Sequence, residues 1–216
     1  MTVTLHAICH YRSKSDEWTD EWQDIDYKAR NLIKAVKQAP FNGHSDFAKR
    51  GGGTSRIEDT PEGRAIAMAA SGRTLADAIQ AAGYENGFCI PIPSSTHVDP
   101  SCEFTGSRLV TAIQDAAPTL IAKPVLYFDQ PMPSSSKGGG RNEAAILGHL
   151  RATSLISIDK AVVIDDVYTT GAHMRATVRY LRNAGVDVQD VFVLGRTAWE
   201  RPEQMFRVAP EKFYFL

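Results

Sequence analysis

Cysteine is scarce in this chain: three residues in 216, Cys9, Cys89 and Cys102, with no Cys-x-x-Cys pair. So sparse and odd a set argues against a disulfide framework and fits a reducing compartment. Charge of one sign is lacking as well. Lys and Arg number 24 against 25 Asp and Glu, a formal net charge of −1, which implies no general attraction to nucleic acid or to an anionic membrane. No stripe of interleaved basic and aromatic residues offsets that balance. No apolar run approaches the length of a membrane span, and no signal-peptide hydrophobic region follows Met1. The expected location is therefore cytoplasmic. Repeats and low-complexity segments are absent too. What remains is ordinary globular composition, 43% hydrophobic and 23% charged, over a length that suits one sizeable domain and is short for two.

Periodicity supplies the first outline. Val3 to Tyr11 alternates loosely and reads as a strand. Its His6, Cys9 and His10 invite a metal reading, but alternation puts Cys9 on the opposite face from the two histidines. An N-terminal strand with exposed histidines is favoured. From Asp24, the stripe Ile25, Ala29, Leu32, Ile33 and Val36 marks an amphipathic helix, with Lys28, Lys34 and Lys37 outside it and Pro40 as its stop. Residues 41 to 61 read as a long loop around Gly51-Gly52-Gly53, a lid or a mobile excursion. Glu62 to Ala82 reads as helical with an interruption near Ser71-Gly72. Gly87 to Pro93 is a short buried strand, and Phe104 to Ala116 a helix. Pro124 to Phe128 is a strand, and 129 to 140 a loop of Pro, Ser and Gly. Asn142 to Leu150 is a short helix, Val188 to Leu194 a strand, and Phe213 to Leu216 an edge strand. Strands alternating with helices from about Gly87 predict an α/β fold with a Rossmann-like parallel sheet flanked by helices. In such sheets the ligand sits beyond the carboxyl ends of the strands. Three loops leave those ends, at 93–97, 129–141 and 165–171, and are expected to converge on one crevice.

The most informative stretch is Ala161-Val-Val-Ile-Asp165-Asp166-Val167-Tyr168-Thr169-Thr170-Gly171-Ala172-His173-Met174. A four-residue apolar run with strand-like branching is followed at once by two acids, where a buried strand would surface. A hydroxyl-rich turn comes next, and then Met174, Val178 and Leu181 at helical spacing. Backbone N–H groups, threonine hydroxyls and the positive end of a helix dipole together suit a phosphate. Two carboxylates beside that cradle suit the vicinal hydroxyls of a ribose, or a metal bound to it. As an ordinary strand-to-helix turn, the acids would be solvated and the threonines would serve as caps. That accounts for one acid or one threonine. It leaves unexplained why both acids follow the strand and precede the threonine pair.

The stretch resembles the phosphoribosyl diphosphate signature of the type I phosphoribosyltransferases. That signature is a hydrophobic strand, two acids, a hydrophobic residue or two, Thr-Thr-Gly, any residue, and Thr or Ser. His173 departs from it, standing where the family has the final hydroxyl. The Pro-x-Pro strand end before Ser94 and Ser95 is similar to the pyrophosphate turn of the ComF-like subgroup, and the helix carrying Lys34 and Lys37 is similar to that subgroup's N-terminal helix. The subgroup's zinc-ribbon cysteines are missing here. The resemblance implies a core at 87–216 under an N-terminal hood-like region at 1–86, together one compact unit. It also implies Mg2+ as cofactor, with Asp165 and Asp166 as catalytic acids and metal-facing groups. Thr169, Thr170, Gly171 and the backbone of Ala172 and His173 would grip the terminal phosphate, Val167 and Tyr168 would also line the substrate site, and Ser94 and Ser95 would orient pyrophosphate. Lys137 and Arg141 are the cations of the 130–142 segment. They would swing onto departing pyrophosphate, or serve solubility alone. Tyr168 reads as packing or as a stacking platform, and Trp199 as an acceptor contact or a core residue. The implied partners are phosphoribosyl diphosphate and a small base-like acceptor, in a possible homodimer, with no membrane and no nucleic acid. Two other roles stay open: a non-catalytic phosphoribosyl diphosphate or nucleotide sensor, and a ComF-like accessory role in DNA uptake or processing.

Overall fold

A computed structural model describes residues 2–12, 21–49, 51–132, 143–155, 157–206 and 208–214. Strand β1 (Thr2–Tyr11) leads through the 12–23 segment to helix α1 (Asp24–Val36). Ala29, Leu32, Ile33 and Val36 are buried, while Ile25, at the start of the stripe, is exposed. Asp26 turns back to accept the N–H of Gln23 at 2.8 Å, and so caps the first turn. A 13-residue helix is marginal by itself. Each fully buried aliphatic side chain adds about 1.5–3 kcal/mol, so burial of this stripe is what holds α1.

Residues 41–61 depart from the expected loop. They contain the hairpin β2 (His44–Ala48) and β3 (Thr54–Glu58), paired from Ala48↔Thr54 to His44↔Glu58. The glycine triplet makes its tip, with Gly52 at φ 88° and Gly53 at φ 80°, a backbone that favours glycine. Each strand buries a single residue, Ser45 or Ile57, so no hydrophobic alternation announces them. Helix α2 (Pro61–Ala81) starts at Thr60, whose side chain accepts from the Gly63 N–H, and it runs unbroken through Ser71-Gly72. Gly72 is a contact point there: a Cβ at that position would lie 2.5 Å from the Ala112 carbonyl.

The chain continues through β4 (Gly87–Pro91), α3 (Thr105–Ala116), β5 (Leu120–Ala122), β6 (Leu126–Phe128), α4 (Glu143–His149) and β7 (Leu150–Ala152). It ends with β8 (Ala161–Tyr168), α5 (Ala172–Asn183), β9 (Asp190–Thr197) and β10 (Glu211–Tyr214). The main sheet has the order β10-β1-β9-β8-β4-β5, parallel except for β10 at its edge. The three-residue β5 is too short to read from sequence. The 124–128 strand stands outside this sheet, since β6 pairs antiparallel with β7 in a ribbon of its own. β1 lies inside the sheet, and its histidines differ from the expected exposed pair. The His6 ring stacks on Phe192 at 4.4 Å, and His10 Nδ1 is buried. Cys9 is buried and donates its thiol to the Leu194 carbonyl.

The sheet has a core on each face. One joins α1, α2 and α3 to Cys9, Val162, Ile164, Phe192 and Leu194. The other joins α5 and the β6–β7 ribbon to Leu5, Val163, Val191 and Val193. The helices leaving β4 and β8, adjacent strands, therefore go to opposite faces. This is a switch point, where an α/β sheet opens a crevice beyond its carboxyl ends.

Candidate functional site

The signature acids sit at that switch point. β8 is longer than its apolar run: Asp165 pairs with Val193 and Tyr168 with Arg196, so both acids are held on strand backbone rather than in a loop. Asp166 faces the α1 side, where Lys37 Nζ lies 3.1 Å from Oδ2 and 3.3 Å from Oδ1. The Asp166 side chain is 17% exposed and that of Lys37 40%. Asp165 accepts the N–H of Asp166 at 2.8 Å. Burial pushes the Asp165 carboxyl well above its ordinary value and the neighbouring Asp166 charge pushes it further, while Lys37 and the accepted N–H pull back. For Lys37, burial favours the neutral amine, but Asp166, Asp165 and Tyr11 outweigh it and raise its pKa. Two carboxylates and one ammonium thus form a set that carries less negative charge than the acids alone.

Beyond the acids the chain turns into α5. Val167 packs toward the α1–α3 core, and the Tyr168 ring lies 5.3 Å from Phe213 of β10. Thr169 and Thr170 are half-buried, and Thr169 Oγ1 accepts from the Thr197 hydroxyl at 3.3 Å. Gly171 caps the helix in the left-handed region at φ 75°. A side chain there would strain this left-handed backbone, and its Cβ, 2.7 Å from Tyr168 Cε2 and 3.0 Å from Arg175 Nη1, would displace the ends of both side chains. The first α5 N–H with a backbone acceptor is that of Arg175, which donates to the Gly171 carbonyl at 2.8 Å. Among the described residues the N–H groups of Ala172, His173 and Met174 have none, which leaves the helix start furnished with free donors.

The His173 ring packs edge-on against Phe128, with ring centroids 6.1 Å apart. Its Nε2 is buried without a partner among the described residues, and burial lowers its pKa and so favours the neutral imidazole. The loop after β4 reaches the same region: Ser94 is exposed and Ser95 half-buried. The Ser95 carbonyl accepts from Met132 N–H at 2.7 Å, and that of His97 from Phe128 N–H at 2.9 Å. The loops after β4 and β6 and the head of α5 are thereby brought together. Lys137 and Arg141 lie outside the described residues. Trp199 is 52% exposed just beyond β9 and is no core residue.

The ammonium of Lys37 reaches Asp166 from 129 residues away, so no local spacing contains the contact; the hint in the sequence is a lysine outside the apolar stripe of α1, on the helix singled out above for its lysines. Arg175 and Glu143, which meet beside the glycine turn, were missed outright. Also at this end of the sheet, Arg12 is buried with its guanidinium 4.4 Å from the Trp22 ring centroid, and Arg201 grips the buried Asp26 at 2.7 Å.

No family model matches the chain, and no curated protein matches it. Solved structures that resemble it include orotate phosphoribosyltransferase from Aeropyrum pernix, at 19% identity and a TM-score of 0.39, over 76% of this chain and 81% of that one. Adenine phosphoribosyltransferase from Leishmania tarentolae is 10% identical at a TM-score of 0.41, over 83% and 90%. That from Thermoanaerobacter pseudethanolicus is 14% identical at 0.39, over 71% and 95%. Since these superpositions are partial, the functional reading stands on the chain's own residues.

Proposed function

We propose that the chain is a type I phosphoribosyltransferase, which binds phosphoribosyl diphosphate with Mg2+ and transfers the phosphoribosyl group to a nitrogenous, base-like acceptor with release of pyrophosphate. One observation carries the reading: two adjacent acids at the end of β8 open directly into a glycine turn whose free N–H groups head α5, at the switch point of the sheet. A phosphorylated pentose matches that spacing of acceptors and donors. Its hydroxyls donate to the carboxylates, and its phosphate accepts from the turn.

In this reading the protein supplies orientation and charge placement, with little covalent work of its own. Thr169, Thr170 and the 171–173 backbone hold the phosphate end. Asp165 and Asp166 hold the ribose hydroxyls, so that the anomeric carbon faces the β4 loop. Ser94 and Ser95 orient the diphosphate there. Displacement by the acceptor nitrogen would pass through an oxocarbenium-like state, and exclusion of water from the crevice protects that step. Mg2+, when bound, would neutralise leaving-group charge. Among the described residues no group of three or more His, Cys, Asp or Glu could hold a metal. The two acids would therefore share the ion with the diphosphate's own oxygens, the arrangement Mg2+ ordinarily takes. Lys37 supports a ComF-like relationship, since it brings an N-terminal-helix lysine to the acid pair.

The same ion pair favours a second reading, a sensor that binds the sugar diphosphate without turnover, because Asp166 must exchange Lys37 for a ligand. Calorimetry with phosphoribosyl diphosphate and Mg2+, followed by assays of pyrophosphate release across a panel of bases, separates the two. Binding with release is expected. Binding without release selects the sensor, and absence of both removes the proposal. The double variant Asp165→Asn with Asp166→Asn is expected to fold and to lose binding or turnover; a folded double variant with unchanged turnover would refute the assignment.

A further inference from the structure

Arg175, in the first turn of α5, reaches back to the glycine turn. Its Nη1 donates to the Thr170 carbonyl at 3.1 Å, while its Nε donates to Glu143 Oε2 at 3.0 Å. Glu143 opens α4, and its other oxygen lies 3.2 Å from Arg179 Nη2. The Glu143 and Arg175 side chains are only 21% and 31% exposed, so the bridge is partly shielded from water. A guanidinium is planar and carries its donors in a rigid fork, so two bonds in different directions fix its orientation.

That orientation matters because of the peptide it holds. Among the described residues no peptide bond is cis. In a trans peptide the carbonyl and the N–H point in opposite directions. Fixing the Thr170 carbonyl on the Arg175 side therefore turns the Gly171 N–H away from Arg175. The Gly171 N–H has no backbone acceptor among the described residues. Glycine tolerates several backbone conformations at little cost, so an unbraced Thr170–Gly171 peptide would populate flipped states. Each flip would replace a donor by a carbonyl oxygen in the anion cradle.

We propose that Arg175, held in place by Glu143, is a positioning residue that locks the Thr170–Gly171 peptide with its N–H toward the phosphate of a bound sugar phosphate. The inference rests on the reading of this turn as a phosphate cradle, and it adds a residue that the signature does not contain. Arg175 need not touch the ligand; it acts through the peptide.

The test uses the full chain labelled with 15N, titrated with ribose 5-phosphate, 2-deoxyribose 5-phosphate and inorganic phosphate. The wild type is expected to bind all three, with the Gly171 amide shifting in each titration. Arg175→Met is expected to weaken ribose 5-phosphate binding about tenfold, the worth of one charge-assisted hydrogen bond, and to blunt the Gly171 shift. The preference for ribose over deoxyribose, which the acids set, should stay unchanged; a merely structural loss would erode it as well. Arg175→Lys should recover part of the affinity, and Glu143→Gln should lose part of it. These two variants carry the comparison if Arg175→Met does not fold. Wild-type affinity and an unaltered Gly171 shift in the folded variants would overturn the proposal. A wild type that binds none of the three probes would instead sink the phosphate reading itself, and this inference with it.

Discussion

Replacing Asp165 by Asn tests the site through stability rather than activity. In the folded chain burial and the adjacent Asp166 both oppose the charged form of Asp165, so its pKa lies above that of the unfolded chain. The native state therefore holds a proton that the unfolded state releases. Stability falls as pH rises from the ordinary carboxylate value, about 4, up through the folded value, and the cost is complete above it. Asparagine is close in size, carries no charge, and retains an oxygen to accept the Asp166 N–H that Asp165 now accepts at 2.8 Å. That bond survives, so the balance is set by relief of a half-buried charge, only part of which Lys37 offsets. A gain of about 1 kcal/mol at pH 7 follows, at the low end of what unpaired polar burial costs. For a chain of this size it corresponds to a rise in Tm of about 2–4 °C. Urea denaturation of both proteins between pH 3 and pH 9 measures the difference. The curves should coincide at the acid end and separate as pH rises. Parallel curves, or an Asn variant less stable at pH 7, would show that the acid is not strained in this way.

Other sites give independent checks. Gly171→Ala combines a left-handed φ of 75° with a Cβ 2.7 Å from the Tyr168 ring; a loss of about 1–3 kcal/mol is expected by chemical denaturation, and one below a few tenths would contradict the turn geometry. Asp26→Ala removes the partner of Arg201 and the acceptor of the Gln23 N–H. It should cost about 3 kcal/mol, and a neutral result would mean that the bridge does not tie the segment after β9 to α1. Burial raises the Asp190 pKa, but the hydrogen bonds from His6 and Tyr84, at 2.7 and 2.6 Å, bring it below the ordinary carboxylate value. Its contribution is present above about pH 4 and lost as pH falls through the folded value. Asp190→Asn should therefore flatten the acid limb of the stability curve, and an unchanged limb would exclude this bridge as its source.

How much of this could be read from the sequence depended on whether the information was local. The α1 stripe, the buried runs of β8 and β9 and the α5 periodicity are patterns within a few residues, and the structure has each of them. The β2–β3 hairpin escaped because its strands bury one side chain apiece, and β5 because three residues make no pattern. Ser71-Gly72 reads as a helix break when only propensity is weighed. It is continuous because the missing Cβ lets α2 approach the Ala112 carbonyl of α3, a tertiary contact no local rule contains. The site divides in the same way. Its acids and turn are contiguous and legible, while Lys37 and Glu143 reach it through the fold from distant segments.

The acid pair itself argues for function over architecture. Structural stability gives no reason to place two carboxylates side by side on a strand whose preceding four residues are fully buried. One of them is held above its ordinary pKa, and the other occupies a lysine that α1 otherwise presents to solvent. The neighbouring turn carries a similar burden, with a left-handed glycine and a row of N–H groups that have no backbone acceptor. Costs of this kind collect where a ligand will repay them, because a bound group satisfies donors and acceptors that the free protein leaves waiting. The two halves are also complementary in sign. Acceptors lie on the strand and donors on the helix, two residues of hydroxyl-bearing turn between them. In the proposed reading, a ligand that repays both carries hydroxyls at one end and an anion at the other. If stabilising substitutions at Asp165 left sugar-phosphate binding intact, the pair's cost would lack this explanation and the argument for a phosphorylated pentose would fail with it.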